Sequence, residues 1–128
     1  MNPLQEHIMR CMSPVESMDG KLVSTFCFSP GFIGFQGHFP DNPVLPGVCI
    51  IQAVLVILQA YGDRKITLRQ VVQAKFFSAV TCGEKCRFEC VKQDKGDGEY
   101  PVRTFVSCKD EKVAKIDLLV SVVITKVV

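Results

Sequence analysis

Gly37-His38-Phe39-Pro40-Asp41-Asn42-Pro43-Val44-Leu45-Pro46-Gly47-Val48 runs without a break into Cys49-Ile50-Ile51-Gln52-Ala53, and this stretch decides how the chain is read. Three prolines fix their own φ angles and push the preceding residues toward extended backbone, so His38 is expected on a stiff strap. Pro46-Gly47 then opens a helix. Its first amides have no partner within the helix and are free to donate to an incoming carbonyl oxygen. An imidazole beside such donors is an enzyme-like pairing. The bland alternative is a loop histidine bonded to backbone, and rigid loops that hold geometry for chemistry tip the balance against it.

Working outward, Val48 to Tyr61 is the one segment long enough for a buried helix, with Gly62 placed where a left-handed cap would end it. Apolar residues cover nearly every face, so other elements must enclose it. Strand-like segments follow at Ile66–Phe77, Lys85–Gln93, Tyr100–Lys109 and Val113–Lys126. Gly96-Asp97-Gly98 and Asp110-Glu111 supply turns, which predicts an antiparallel meander for the last three. Before the strap, residues 1–17 suggest a short amphipathic helix through Leu4, Ile8, Met9 and Met12. Asp19-Gly20 makes a turn, and Leu22, Phe26 and Phe28 share one face of a strand ended by Pro30-Gly31. This order fits an α+β fold, a long curved antiparallel sheet around one central helix, in a single domain spanning 1–128. One short sheet cannot cover the helix and close its own edges, so pairing with a second copy is expected.

Composition narrows the function. Fifteen Lys and Arg against thirteen Asp and Glu give a formal charge of +2, too balanced for a surface devoted to nucleic acid. Hydrophobic content of 48%, with nine phenylalanines and no tryptophan, points to an apolar interior plus a buried interface or a lipid-like ligand. Val48–Leu58 is interrupted by Gln52 and falls short of the ~18 to 20 residues of a membrane span. Seven cysteines, an odd number, and no signal-like start suggest a soluble protein of the reducing cytoplasm. Cys82, Cys86 and Cys90 do not read as metal ligands. On one strand Cys86 and Cys90 would lie about 13 Å apart, beyond a single tetrahedral ion. Buried structural thiols are expected instead.

The string GHFPDNPVLPGVCIIQA resembles the active-site segment of the hotdog-fold beta-hydroxyacyl-(acyl carrier protein) dehydratases of fatty acid synthesis. Ala74-Lys75-Phe76-Phe77-Ser78-Ala79-Val80-Thr81-Cys82-Gly83-Glu84-Lys85 is similar to the strand and turn that follow the helix in that family, and the likeness runs from about Gly20 to the C-terminus. It implies a dimer in which one continuous sheet wraps two helices, with acyl tunnels along the interface and no cofactor or metal. His38 takes the place of the base that removes the proton alpha to the thioester. Gly47, with Val48 alongside, takes the place of the amide that polarises the thioester carbonyl. The family's third group is a carboxylic acid on the helix of the other subunit, and here that position holds Gln52. A glutamine can hold a water or a hydroxyl but has no acidic proton to give, and general acid help is typically worth about 10² to 10⁴ in rate.

Three functions remain open at this level. The first is dehydration of beta-hydroxyacyl thioesters of acyl carrier protein or coenzyme A. The second is hydrolysis by a hotdog thioesterase in which His38 or Asp41 activates water. The third is an acyl-binding subunit whose partner supplies the acid. Phe32, Phe35, Phe39, Phe76 and Phe77 are candidates to line an acyl channel, or plain core. Arg64, Lys65, Arg69 and Lys75 would greet an acidic carrier protein or form a solvated basic face. Asp41 and Glu84 read as turn residues, and Gln59 as an interface or cap-proximal residue.

Overall fold

The computed structural model describes residues 1–35, 44–62, 65–93 and 98–123. Helix α1 (Pro3–Met9) is followed by strands β1 (Glu16–Met18) and β2 (Lys21–Cys27), a 3-10 turn (Ile33–Phe35) and the central helix α2 (Gly47–Gly62). Strands β3 (Lys65–Phe76), β4 (Lys85–Lys92), β5 (Glu99–Cys108) and β6 (Glu111–Val123) complete it. All neighbours in the sheet are antiparallel, in the order β1-β2-β4-β5-β6-β3. The expected meander is present as β4-β5-β6. This is the hotdog architecture, a sheet around one helix.

Alternation writes the core. On β4, Cys86, Phe88 and Cys90 point inward, and on β5 Tyr100, Val102, Thr104, Val106 and Cys108 do, while Lys85, Arg87, Arg103 and Phe105 face out. A bulge where Val106 pairs with Ala114 and Ser107 with Lys112 leaves Val113 without a partner on β5, and Val113 and Ala114 are both buried. Against this face α2 packs Cys49, Ile50, Ala53, Val54, Val56, Ile57 and Leu58.

Aromatic rings carry the chain from the sheet toward the strap. Phe26 lies 4.6 Å from Phe88 and 5.7 Å from Phe28, Phe28 lies 4.9 Å from Phe32, and Phe32 lies 5.7 Å from Phe35. Phe32 and Phe35 are therefore core, not channel lining, being 3% and 6% exposed. The 3-10 turn packs directly on the helix start because Gly34 lacks a side chain; a Cβ there would stand 2.8 Å from Cys49 Sγ.

Several boundaries differ from the sequence reading. The N-terminal segment is helical only over Pro3–Met9, and Glu16–Met18 instead pairs with β2 as a hairpin. Asp19 (φ 51°) and Gly20 (φ 77°) form its tight turn. The β5–β6 turn is centred on Lys109 (φ 52°) and Asp110 (φ 64°), one residue earlier than expected. Gly62 is the last helical residue and has no left-handed φ, so it is not the expected cap. The helix is not enclosed on all sides either: Val48 is 58% exposed, and Ile51, Gln52 and Gln59 are only partly buried.

Burial governs the thiols. Cys86 and Cys90 are buried, and desolvation pushes each up to about 12, with the neighbouring Cys108 adding to the effect at Cys86. Cys27 is exposed. An alkylating reagent at pH 8 should modify Cys27 in the folded protein and reach Cys86 and Cys90 only on unfolding, as read by peptide mass spectrometry with and without denaturant. Phe26→Ala should cost about 3 to 5 kcal/mol in a denaturant titration, because it empties the centre of the aromatic chain.

Candidate active site

The start of α2 is the geometric centre of the site. Pro46 O accepts from Cys49 N at 2.9 Å, closing the first turn, so the amides of Gly47 and Val48 precede the intrahelical ladder. The chain arrives there under restraint: Leu45 N donates to Val80 O at 2.8 Å, and Val44 forms an antiparallel bridge with Thr81. The segment after β3 is held as well, by Phe77 N to Val113 O at 2.7 Å and Ser78 Oγ to Lys112 O at 2.8 Å. Glu84 closes the next turn by accepting from the amide and hydroxyl of Thr81. Those bonds, the hydroxyl's first, and one from Cys108 hold its carboxyl below the ordinary range, so it is a bonded turn residue.

Between these restrained segments lies a groove of about 490 Å³. Val44, Leu45, Gly47, Ile50, Phe76, Phe77 and residues 78–80 line it. Phe76 and Phe77 are 47% and 55% exposed, so two aromatic rings stand at its edge without being part of the core. The ring of Phe76 lies over the helix start: a Cβ on Gly47 would stand 2.8 Å from its Cζ. Glycine at 47 thus lets the ring cover the amide end of the helix. An apolar groove ending at backbone donors suits a fatty chain that terminates in a polarised carbonyl.

Sequence-predicted residues divide into three groups. Gly47, Phe76 and Phe77 come together in this groove. Val48 is next to Gly47 but lies on the exposed side of the helix and is not among the groove residues. His38, Phe39 and Asp41, with Arg64, lie outside the described residues. Gln52 lines a different groove, about 510 Å³, with Asn2, Gln5, Leu55, Gln59 and the start of β3. There its Oε1 accepts from Gln5 Nε2 at 2.9 Å. Gln59 Oε1 accepts from Ile66 N at 3.2 Å, tying α2 to β3, while its buried Nε2 has no partner among the described residues. Of the basic residues, Arg69 pairs with Glu99 at 3.5 Å on the surface and Lys65 borders the Gln52 groove.

Gln5 was missed by the sequence reading. Asn2-Pro3 is a helix-start signature, and Gln5 lies three residues before Ile8, on the same inward face. That signal marks where the helix starts but not the partner of the Gln5 amide.

Sequence and fold have counterparts. Residues 15–116 match the family described as ApeI-like, ApeI dehydratase. The chain is 32% identical over 119 residues to a 3-hydroxyacyl-[acyl-carrier-protein] dehydratase FabZ of Wolbachia pipientis wMel, covering 88% of this chain and 80% of that protein. Among solved structures, the dehydratase heterocomplex ApeI:P from Xenorhabdus doucetiae superposes with a TM-score of 0.67 at 18% identity, over 86% of this chain and 93% of the other. A hypothetical thioesterase with coenzyme A from Streptococcus pneumoniae TIGR4 does so with a TM-score of 0.66 at 12% identity, over 94% of each chain. These two likenesses are of fold.

Gly47→Ala should alter stability by no more than about 1 kcal/mol, since better helix propensity offsets a displaced ring. The aromatic NMR signals of Phe76 should move all the same, and unmoved signals would contradict the packing described. With 102 of its residues inside one family's span, the chain belongs to the ApeI-like dehydratases, a hotdog family.

Proposed function

We propose that this protein removes water from beta-hydroxyacyl thioesters carried by acyl carrier protein, with coenzyme A thioesters as the alternative carrier, in the cytoplasm. The observation that carries the proposal is the apolar groove closing on the amide end of α2 at Gly47, within a chain of a dehydratase family. The acyl chain lies against Phe76 and Phe77. The thioester oxygen accepts from the amide of Gly47, which stabilises the enolate-like charge as it develops. His38, on the strap just before Val44, removes the alpha proton as a neutral imidazole.

The site is shared between two protomers. Gln52 and Gly47 line separate grooves of one chain, so a single protomer does not bring them to one substrate. The surface that calls for a second copy is also present. Strand β3 is an edge twelve residues long, with Val71 and Val72 exposed at 42% and 58%, and α2 leaves Val48 exposed as well. A long edge of this kind pairs or is otherwise covered. In the dimer that the family resemblance implies, Gln52 of one protomer would serve the site of the other.

Gln52 supplies hydrogen bonding where the family resemblance implies an acid, so the homodimer is expected to be slow. A partner subunit retaining the acid is the second reading, supported by the heterocomplex name of the structural relative.

Wild type, His38→Ala and Gln52→Glu, assayed on a beta-hydroxyacyl thioester for enoyl absorbance and free thiol together, test these statements. His38→Ala should abolish enoyl formation, and Gln52→Glu should raise it, by as much as about 10² if the new carboxyl serves as general acid. Free thiol without enoyl product would assign hydrolysis instead. Full turnover by the histidine variant would remove His38 from the mechanism.

A further inference from the structure

One edge of β2 is covered in two steps. Strand β1 pairs with residues 21–23, and residues 11–13 take the stretch beyond: Met12 forms an antiparallel bridge with Phe26, flanked by Cys27 N to Cys11 O at 2.9 Å and Ser13 N to Thr25 O at 2.8 Å. Cys11 and Cys27 therefore stand directly opposite each other. Opposite residues of an antiparallel pair have Cα atoms about 4.5 to 5.5 Å apart, inside the ~4.4 to 6.8 Å that a disulfide spans. Both are free thiols, Cys27 exposed and Cys11 half-buried. Cys11 Sγ donates to His7 O at 3.4 Å, a weak bond that a turn of the side chain gives up. Burial pushes the Cys11 thiol up, a backbone bond from Ser29 opposes this, and the nearby Cys27 adds to it.

A second opposed pair shows what sets the first apart. Cys86 and Cys108 also face each other, across β4 and β5, but both are buried, and burial first of all pushes Cys86 up to about 12. The thiolate is the attacking species and needs access. That pair has the geometry without the reactivity.

We propose that Cys11 and Cys27 form a reversible dithiol modification site, linked by oxidants of the low-molecular-weight disulfide class. Cys27, the exposed thiol, gives its proton to water and attacks one sulfur of the oxidant; a mixed disulfide forms and the oxidant's own S–S bond breaks, expelling one thiolate. Cys11, its proton likewise released, attacks Cys27 Sγ, forming the Cys11–Cys27 bond and expelling the second thiolate. Two protein thiols are oxidised and one disulfide is reduced to two thiols, with no further reactant. The new bond closes a loop of about 17 residues and pins the chain just after α1 to the sheet. Because α1 supplies Gln5 to the groove that Gln52 lines, oxidation stiffens one wall of that groove. The inference is independent of the dehydratase reading.

The test treats the reduced full chain with glutathione disulfide, maps its peptides by mass spectrometry without reduction, and melts the protein before and after. A Cys11–Cys27 link should dominate, dithiothreitol should reverse it, and the oxidised protein should melt about 5 °C or more higher. Cys11→Ser should stop at the mixed disulfide on Cys27 and lose the shift in melting. Cys27→Ser should react at Cys11 at least about tenfold more slowly than wild type reacts at Cys27, because the remaining thiol is half-buried. A mixed disulfide that persists on Cys27 in wild type, or a Cys86–Cys108 link that forms first, overturns the proposal. A Cys11–Cys27 link that leaves the melting unchanged overturns its action on the fold.

Discussion

The burial of α2 against one face of the sheet is the constraint from which the other features follow. A sixteen-residue helix carrying Cys49, Ile50, Ala53, Val54, Val56, Ile57 and Leu58 on its buried sides requires a broad apolar surface. The inward residues of β2, β4, β5 and β6 provide it, and burial of each large side chain contributes about 1.5 to 3 kcal/mol. Because the sheet must reach around the helix, its strands are long and its final pair, β3 with β6, contains two register shifts. Bulges bend and twist a strand where a regular ladder would stay flat.

The same packing sets the chemistry. Once α2 is fixed, its N-terminus is fixed, and so are the amides at Gly47. The two approaches to that point are tied by ordinary backbone bonds, Leu45 to Val80 and Phe77 to Val113, so the groove between them has firm walls on polar anchors and an apolar interior. The proposed site is thus a consequence of how the helix start is held. Its aromatic edge, Phe76 and Phe77, lies where β3 ends and the chain turns away, which explains why those rings are exposed while Phe26, Phe28, Phe32 and Phe35 are core.

Covering is incomplete in one direction. The stripe of α2 through Val48, Ile51 and Gln52 and the free edge of β3 lie on the side the chain does not close for itself. Gln52 occupies this side with an amide, and α1 folds over to meet it through Gln5. A polar pair in such a place has a cost unless each group is bonded, and the hydrogen bond between the two glutamines satisfies one end of each.

Period-two alternation on β4 and β5, the length of the apolar run from Val48 and the Pro46-Gly47 helix start were legible in the residues, because each is local: a side chain's face follows from its position along its own element. Asp19-Gly20 was legible for the same reason. The family string around Gly47 carried the likeness to hotdog dehydratases. Tertiary structure decided what depends on distant partners. Phe32 and Phe35 joined the core because Phe28 and the helix start are their neighbours, Glu16–Met18 became a strand because β2 offered an edge, and Gln52 acquired a fixed amide because Gln5, forty-seven residues earlier, packs against it. Spacing along a chain encodes periodicity but not which remote group arrives to complete a hydrogen bond, and that choice belongs to the fold.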